Sequence, residues 1–126
     1  MESILIVDDD INLCSLLKEE LNEIGYDAYS VNSADETFAF LDSGHLVDLI
    51  LLDLKMPEKD GFYVLETLKS RKADVRVIVL TAYADVKSAI DSAKLGASDF
   101  ISKPYDFDEL LITIRKVLQK EKEHED

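Results

Sequence analysis

Several stretches of this chain are apolar without interruption, and each stops at a polar residue. Ile4-Leu5-Ile6-Val7 ends at Asp8, Leu49-Ile50-Leu51-Leu52 ends at Asp53, and the run over Arg76–Leu80 ends at Thr81. Runs of this length predict strands covered on both faces, as in a parallel sheet. Between them the apolar spacing is helical. Leu13, Leu16, Leu17, Leu21 and Ile24 form one stripe, stopped at Gly25. Tyr26–Val31 reads as a short strand with polar residues mixed in. Ser33, followed by Glu36, has the pattern of a capping box. Phe38 and Leu41 continue that helix to about Ser43-Gly44. Pro57 and Gly61 mark a loop, and Phe62, Leu65 and Leu68 open the next helix. Val86, Ile90 and Ala93 predict a fourth helix closed at Gly96, and Asp99–Ser102 a last strand. Leu110, Ile114, Val117 and Leu118 carry the final helix.

Strand and helix thus alternate five times. This predicts an α/β fold, a doubly wound five-stranded parallel sheet with helices on both faces. The first, third and fourth strands are the most apolar and belong in the centre. The strand order 2-1-3-4-5 of flavodoxin-like three-layer sandwiches follows. One domain covers residues 1–120. Residues 121–126 form a charged C-terminal tail, with fraying expected from Gln119.

Length and composition narrow the functional classes. A chain of 126 residues builds one core. The formal net charge of -13 argues against direct nucleic-acid binding by this domain and against an anionic membrane surface. No apolar run spans a bilayer, and Met1-Glu2-Ser3 leads into a strand without a secretory pattern, so a cytoplasmic location is expected. Cys14 is the one cysteine; it lies beside the first helical stripe and is expected to be a small buried side chain. His45 in a loop and His124 in the tail are expected to be solvated.

The predicted order sets the first and third strands side by side. Asp8, Asp9 and Asp53 then meet at the crevice where strand order reverses. Carboxylates this close repel one another, and a hard divalent cation is the usual reason for such a cluster. Thr81 and Lys103 end the fourth and fifth strands on the same edge. Three carboxylates, a hydroxyl and an ammonium fit phosphoryl transfer to an aspartate. A flavin carrier is excluded because Asp8-Asp9-Asp10 would repel the cofactor phosphate. A haloacid dehalogenase-type phosphatase wants a second Asp at the position of Lys55.

The pieces Ile6-Val7-Asp8-Asp9, Leu52-Asp53-Leu54-Lys55-Met56-Pro57 with Asp60-Gly61, Leu80-Thr81-Ala82, Gly96-Ala97 and Lys103-Pro104 resemble the receiver domain of the two-component response-regulator family. The resemblance extends to about Lys120. It implies that Asp53 is the phosphoacceptor, served by a sensor histidine kinase or phosphotransfer protein. It implies Mg2+ held by Asp8, Asp9, Asp53 and the backbone carbonyl of Lys55. Lys103 and Thr81 would hold the phosphoryl group, Thr81 and Phe100 would form the switch, and Lys103-Pro104 would be a cis peptide. The switch aromatic is often tyrosine in the family; with Phe100, coupling rests on packing. Asp10 is read as an exposed helix cap. Lys55 and Tyr83 flank the site and are expected to influence dephosphorylation. The domain would catalyse its own phosphorylation and dephosphorylation. Its changing surface, around the fourth helix, fifth strand and fifth helix near Phe100 and Tyr105, would meet an output domain, a target protein or a second copy in a phosphorylation-dependent homodimer. The alternative is a phosphorylation-independent interaction module on the same fold.

Overall fold

The computed structural model describes residues 1–124, with side chains through residue 120. Its elements alternate as the patterning predicts: β1 (Ser3–Val7), α1 (Ile11–Glu23), β2 (Asp27–Val31), α2 (Ala34–Asp42), β3 (Leu49–Leu52), α3 (Gly61–Ser70), β4 (Arg76–Thr81), α4 (Val86–Lys94), β5 (Asp99–Ser102) and α5 (Phe107–His124). The strands are parallel, in the order β2-β1-β3-β4-β5. Ile4 pairs with Leu49 and Val7 with Leu52, so β1 and β3 end level. That register brings Asp8 and Asp53 to one edge.

The uninterrupted apolar runs serve both sheet faces, because successive side chains point in opposite directions. Ile4, Ile6, Leu49, Leu51, Ile78 and Leu80 pack with Leu17 and Leu21 of α1 and Leu110 and Ile114 of α5. Leu5, Val7, Ile50, Leu52, Val77 and Val79 pack instead with Phe38 of α2 and Val64, Leu65 and Leu68 of α3.

The helical stripes are narrower than their spacing suggests. In α1 the buried residues are Cys14, Leu17 and Leu21, whereas Leu16 and Ile24 are 56% and 45% exposed. A single sheet face accepts only part of a helix circumference. The departure is larger in α4. Val86, Ile90 and Ala93, the residues that predict this helix, are exposed, and its one buried residue is Ser92.

Caps follow local chemistry. Asp10, Ser33, Asp60 and Asp85 each accept a backbone N–H of the first turn of their helix. The box at Ser33 is displaced by one residue: Glu36 accepts from the N–H of Asn32 and not of Ser33, at 2.9 Å. α5 extends to His124, into the tail expected over residues 121–126; Glu125 and Asp126 lie outside the described residues, as does the His124 side chain. His45 is exposed but not simply solvated. Its ring stacks on Phe40 at 4.3 Å, and its Nδ1 is 2.9 Å from the Ser43 hydroxyl.

Gly61 has a packing reason. A Cβ there would lie 2.4 Å from the Asp53 carbonyl oxygen and 2.7 Å from the Leu54 Cα. The Gly61 N–H donates to the Leu54 carbonyl at 2.9 Å, so α3 starts directly against the end of β3. Gly61→Ala should cost about 1–3 kcal/mol through overpacking against backbone. Urea unfolding checks this, and an unchanged midpoint would contradict the close approach.

Candidate phosphoryl and metal site

The carboxyl edge of the sheet builds the site from four strand ends. Asp8 follows β1, Asp53 follows β3, Thr81 ends β4, and Lys103 follows β5. Carboxylate oxygens of Asp8, Asp9 and Asp53 lie within 4.8 Å of one another, a spacing that can hold a cation. Asp8 and Asp53 are buried and Asp9 is exposed, so the cluster is closed on its protein side and open to solvent on the other. An all-oxygen donor set with one open side suits Mg2+, which retains several of its waters.

Lys103 supplies the compensating charge. Its Nζ is 2.6 Å from Asp8 Oδ2 and 3.7 Å from Asp53 Oδ2. Burial raises the Asp8 pKa above the usual carboxylate range. Hydrogen bonds from Lys103 and from the Asp10 N–H act the other way, and the Asp53 charge adds to the rise. Two further contacts fix the floor. The Asp10 N–H donates to Asp8 Oδ1 at 2.9 Å, and Asn32 Nδ2 donates to the Asp8 carbonyl at 2.9 Å. Asn32 is a site neighbour that the motifs did not flag. Its signal was there: it directly follows β2, the strand beside β1.

Thr81 is fully buried, and its Oγ1 accepts the Tyr83 N–H at 3.1 Å. The Lys55 N–H lies 3.4 Å from Asp53 Oδ1. The Lys55 ammonium stands over the Tyr83 ring, 4.5 Å from its centroid. This cation–π contact joins the β3–α3 loop to the β4–α4 loop. Phe100 is half-buried against the apolar cluster that holds Val77 and Val79, as are Leu95 and Ala97. The Lys103-Pro104 peptide is cis.

Cys14 belongs to the wall of this site and not to its chemistry. Its thiol lies 3.4 Å from the Asp8 carbonyl, and burial together with Asp8 and Asp10 pushes its pKa up to about 11. The thiolate fraction at neutral pH is thus well below that of an ordinary cysteine. Native protein should therefore react with a thiol-specific disulfide reagent far more slowly than protein in urea. Equal rates would rule out this buried placement. Because the folded pKa is raised, any stability this thiol confers is complete below pH 9 and declines as the pH rises toward 11.

Fold and site together define a flavodoxin-like domain with an acidic, lysine-bridged crevice where its strand order reverses. The chain belongs to the response regulator receiver domain family, whose model matches residues 4–115. It is 37% identical over 115 residues to the transcriptional regulatory protein ZraR of Escherichia coli (strain K12), covering 91% of this chain and 26% of that protein. It is 39% identical over 119 residues to the probable transcriptional regulator ycf27 of Porphyridium aerugineum, covering 94% of this chain and 49% of that protein. The chain thus spans between a quarter and a half of these curated relatives. A CheY-like receiver domain protein from Methanospirillum hungatei JF-1 superposes with a TM-score of 0.92 at 29% identity, covering 98% of both chains. The response regulator TrrA from Thermotoga maritima, in complex with Mg(2+)-BeF, gives 0.82 at 37% identity, covering 93% of this chain and 99% of that one. Among the described residues no helix is long and apolar enough to cross a membrane.

Proposed function

We propose that this domain is a phosphorylation-activated signalling switch that takes a phosphoryl group from a phosphohistidine onto Asp53. The observation that carries the reading is the convergence of Asp8, Asp9 and Asp53 within 4.8 Å, with Lys103 bridging the two buried acids. An Asp53 carboxylate oxygen attacks phosphorus, an O–P bond forms, the N–P bond of the donor breaks, and the departing imidazole takes a proton. Asp8, Asp9, Asp53 and the Lys55 carbonyl would hold Mg2+, which supplies positive charge against the phosphoryl oxygens. The Mg(2+)-BeF complex of the Thermotoga maritima relative supports this ligand class. Lys103 exchanges part of its pairing with Asp8 for a phosphoryl oxygen. Thr81 gives up the Tyr83 N–H and donates its hydroxyl to another. Phe100 moves into the space Thr81 leaves, altering the face formed by α4, β5 and α5. The donor is a sensor histidine kinase or phosphotransfer protein, and the receiver of the signal is an output domain, a target protein or a second copy. A cytoplasmic setting follows from that role. Reversal by water on the same residues makes the domain its own phosphatase.

The test is intact mass after incubation with Mg2+ and acetyl phosphate. One phosphoryl adduct is expected, absent without Mg2+ and absent in Asp53→Asn. A folded protein that binds no Mg2+ and takes no adduct would leave a phosphorylation-independent interaction module instead.

A further inference from the structure

The opposite edge of the sheet carries a second, differently built surface. At the amino ends of β4 and β5, two hollows lie side by side. One, of about 390 Å³, is floored by Leu68, Val75, Val77 and Leu95 and rimmed by Lys69, Lys72 and Lys94. The other, of about 500 Å³, is lined by Arg76, Lys116 and Lys120, with Asp99 its one acid among the described residues. They adjoin at Gly96 and Ala97. In a chain with 27 acidic and 14 basic residues, this concentration of cations is a marked reversal of sign.

Lys59, Arg71, Lys87 and Lys103 each hold a carboxylate within 4.0 Å, while among the described residues Lys18, Lys55 and Arg115 hold none. Among the described residues Lys69, Lys72, Lys94, Lys116 and Lys120 hold none. Lys69 is partly used, since it donates to the Lys94 carbonyl at 3.2 Å and so ties α3 to α4. Attraction to helix carboxyl ends accounts for Lys69 and Lys94, which stand in the last turns of α3 and α4. It accounts neither for Lys72, beyond the α3 cap, nor for the apolar floor between the lysines.

We propose that this surface docks a partner protein through an acidic segment carrying an apolar anchor. The anchor fills the hollow over Leu68 and Leu95, and its flanking carboxylates meet Lys72, Lys94 and Lys116. A volume of about 390 Å³ accommodates one large side chain with room to spare. Charge complementarity with the local lysines selects an acidic partner, and the apolar floor selects a polypeptide over a nucleic acid. The inference does not rest on phosphoryl chemistry at Asp53.

The experiment is a 15N–1H NMR titration of the full chain with a synthetic peptide of glutamates flanking a Leu-Phe pair. Shifts are expected over residues 68–77 and 94–99, with affinity falling several-fold between low and physiological salt. Replacing the Leu-Phe pair by serines should weaken binding at least about tenfold, as should Lys72→Glu combined with Lys94→Glu. Lys18→Glu on α1 should leave it unchanged, and Asp53→Asn should bind as the parent does. Absence of binding, shifts centred elsewhere, equal loss with Lys18→Glu, or tighter binding of single-stranded DNA of equal length would each overturn the proposal.

Discussion

Replacing Lys103 by Met should destabilise the fold by on the order of 3 kcal/mol at pH 7, the lower end of what unpairing a buried charge costs. The lower end applies because the Lys103 side chain keeps 19% of its surface exposed. The loss leaves Asp8 and Asp53, both buried, facing each other with no cation between them. The pH dependence has a definite sign. The Asp8 carboxyl is already raised by burial, and Lys103 is the largest influence holding it down. Without Lys103 the folded pKa climbs further above the unfolded value. The penalty is then complete above the folded pKa and closes as the pH falls through it, where Asp8 is protonated. Mg2+ should narrow the deficit by replacing the missing charge. Phosphoryl uptake from acetyl phosphate should slow at least about a hundredfold, as when one preorganised charge partner of a transition state is removed. Urea unfolding from pH 4 to 8, with and without Mg2+, measures the first part; a deficit independent of pH would show that Lys103 is not the counter-charge of Asp8.

The second large effect separates metal binding from stability. Asp9 is exposed, and no hydrogen bond to its side chain is found among the described residues. Asp9→Asn should therefore move the metal-free stability by no more than about 0.5 kcal/mol. Mg2+ affinity should fall at least about tenfold, the scale on which metal sites respond to loss of a supporting carboxylate. Calorimetric titration with Mg2+ decides it. Unchanged affinity would remove Asp9 from the ligand set and shift the metal toward Asp8 and Asp53 alone.

Much of this molecule was legible in its sequence, for a specific reason. Central parallel strands must be apolar on both faces, so Ile4–Val7 and Leu49–Leu52 announce themselves, and the acids that end them mark the sheet edge. Strand order followed from ranking the strands by polarity, and the register Val7 to Leu52 then brought Asp8 to Asp53. What periodicity could not give was contact between elements. Leu16 and Val86 have helical spacing but stay largely exposed, because spacing describes one helix and burial needs two surfaces. The Asn32 contact to Asp8 joins residues 24 apart, and the stacking of Lys55 on Tyr83 depends on how two loops lean together. The basic hollow is of the same kind. Its lysines come from α3 and the turn after it, from α4 and from α5, and nothing in any one segment announces them.

The thin attachment of α4 also bears on timing. With Ser92 as its one buried residue, this helix has little apolar area to lose when it separates from the sheet. Opening there costs less free energy than opening of α1 or α3, whose leucines are inserted in the core. Its amide protons should exchange with solvent by local excursions, while those of β1 and β3 await global unfolding. A helix so loosely moored opens without disturbing the rest of the core.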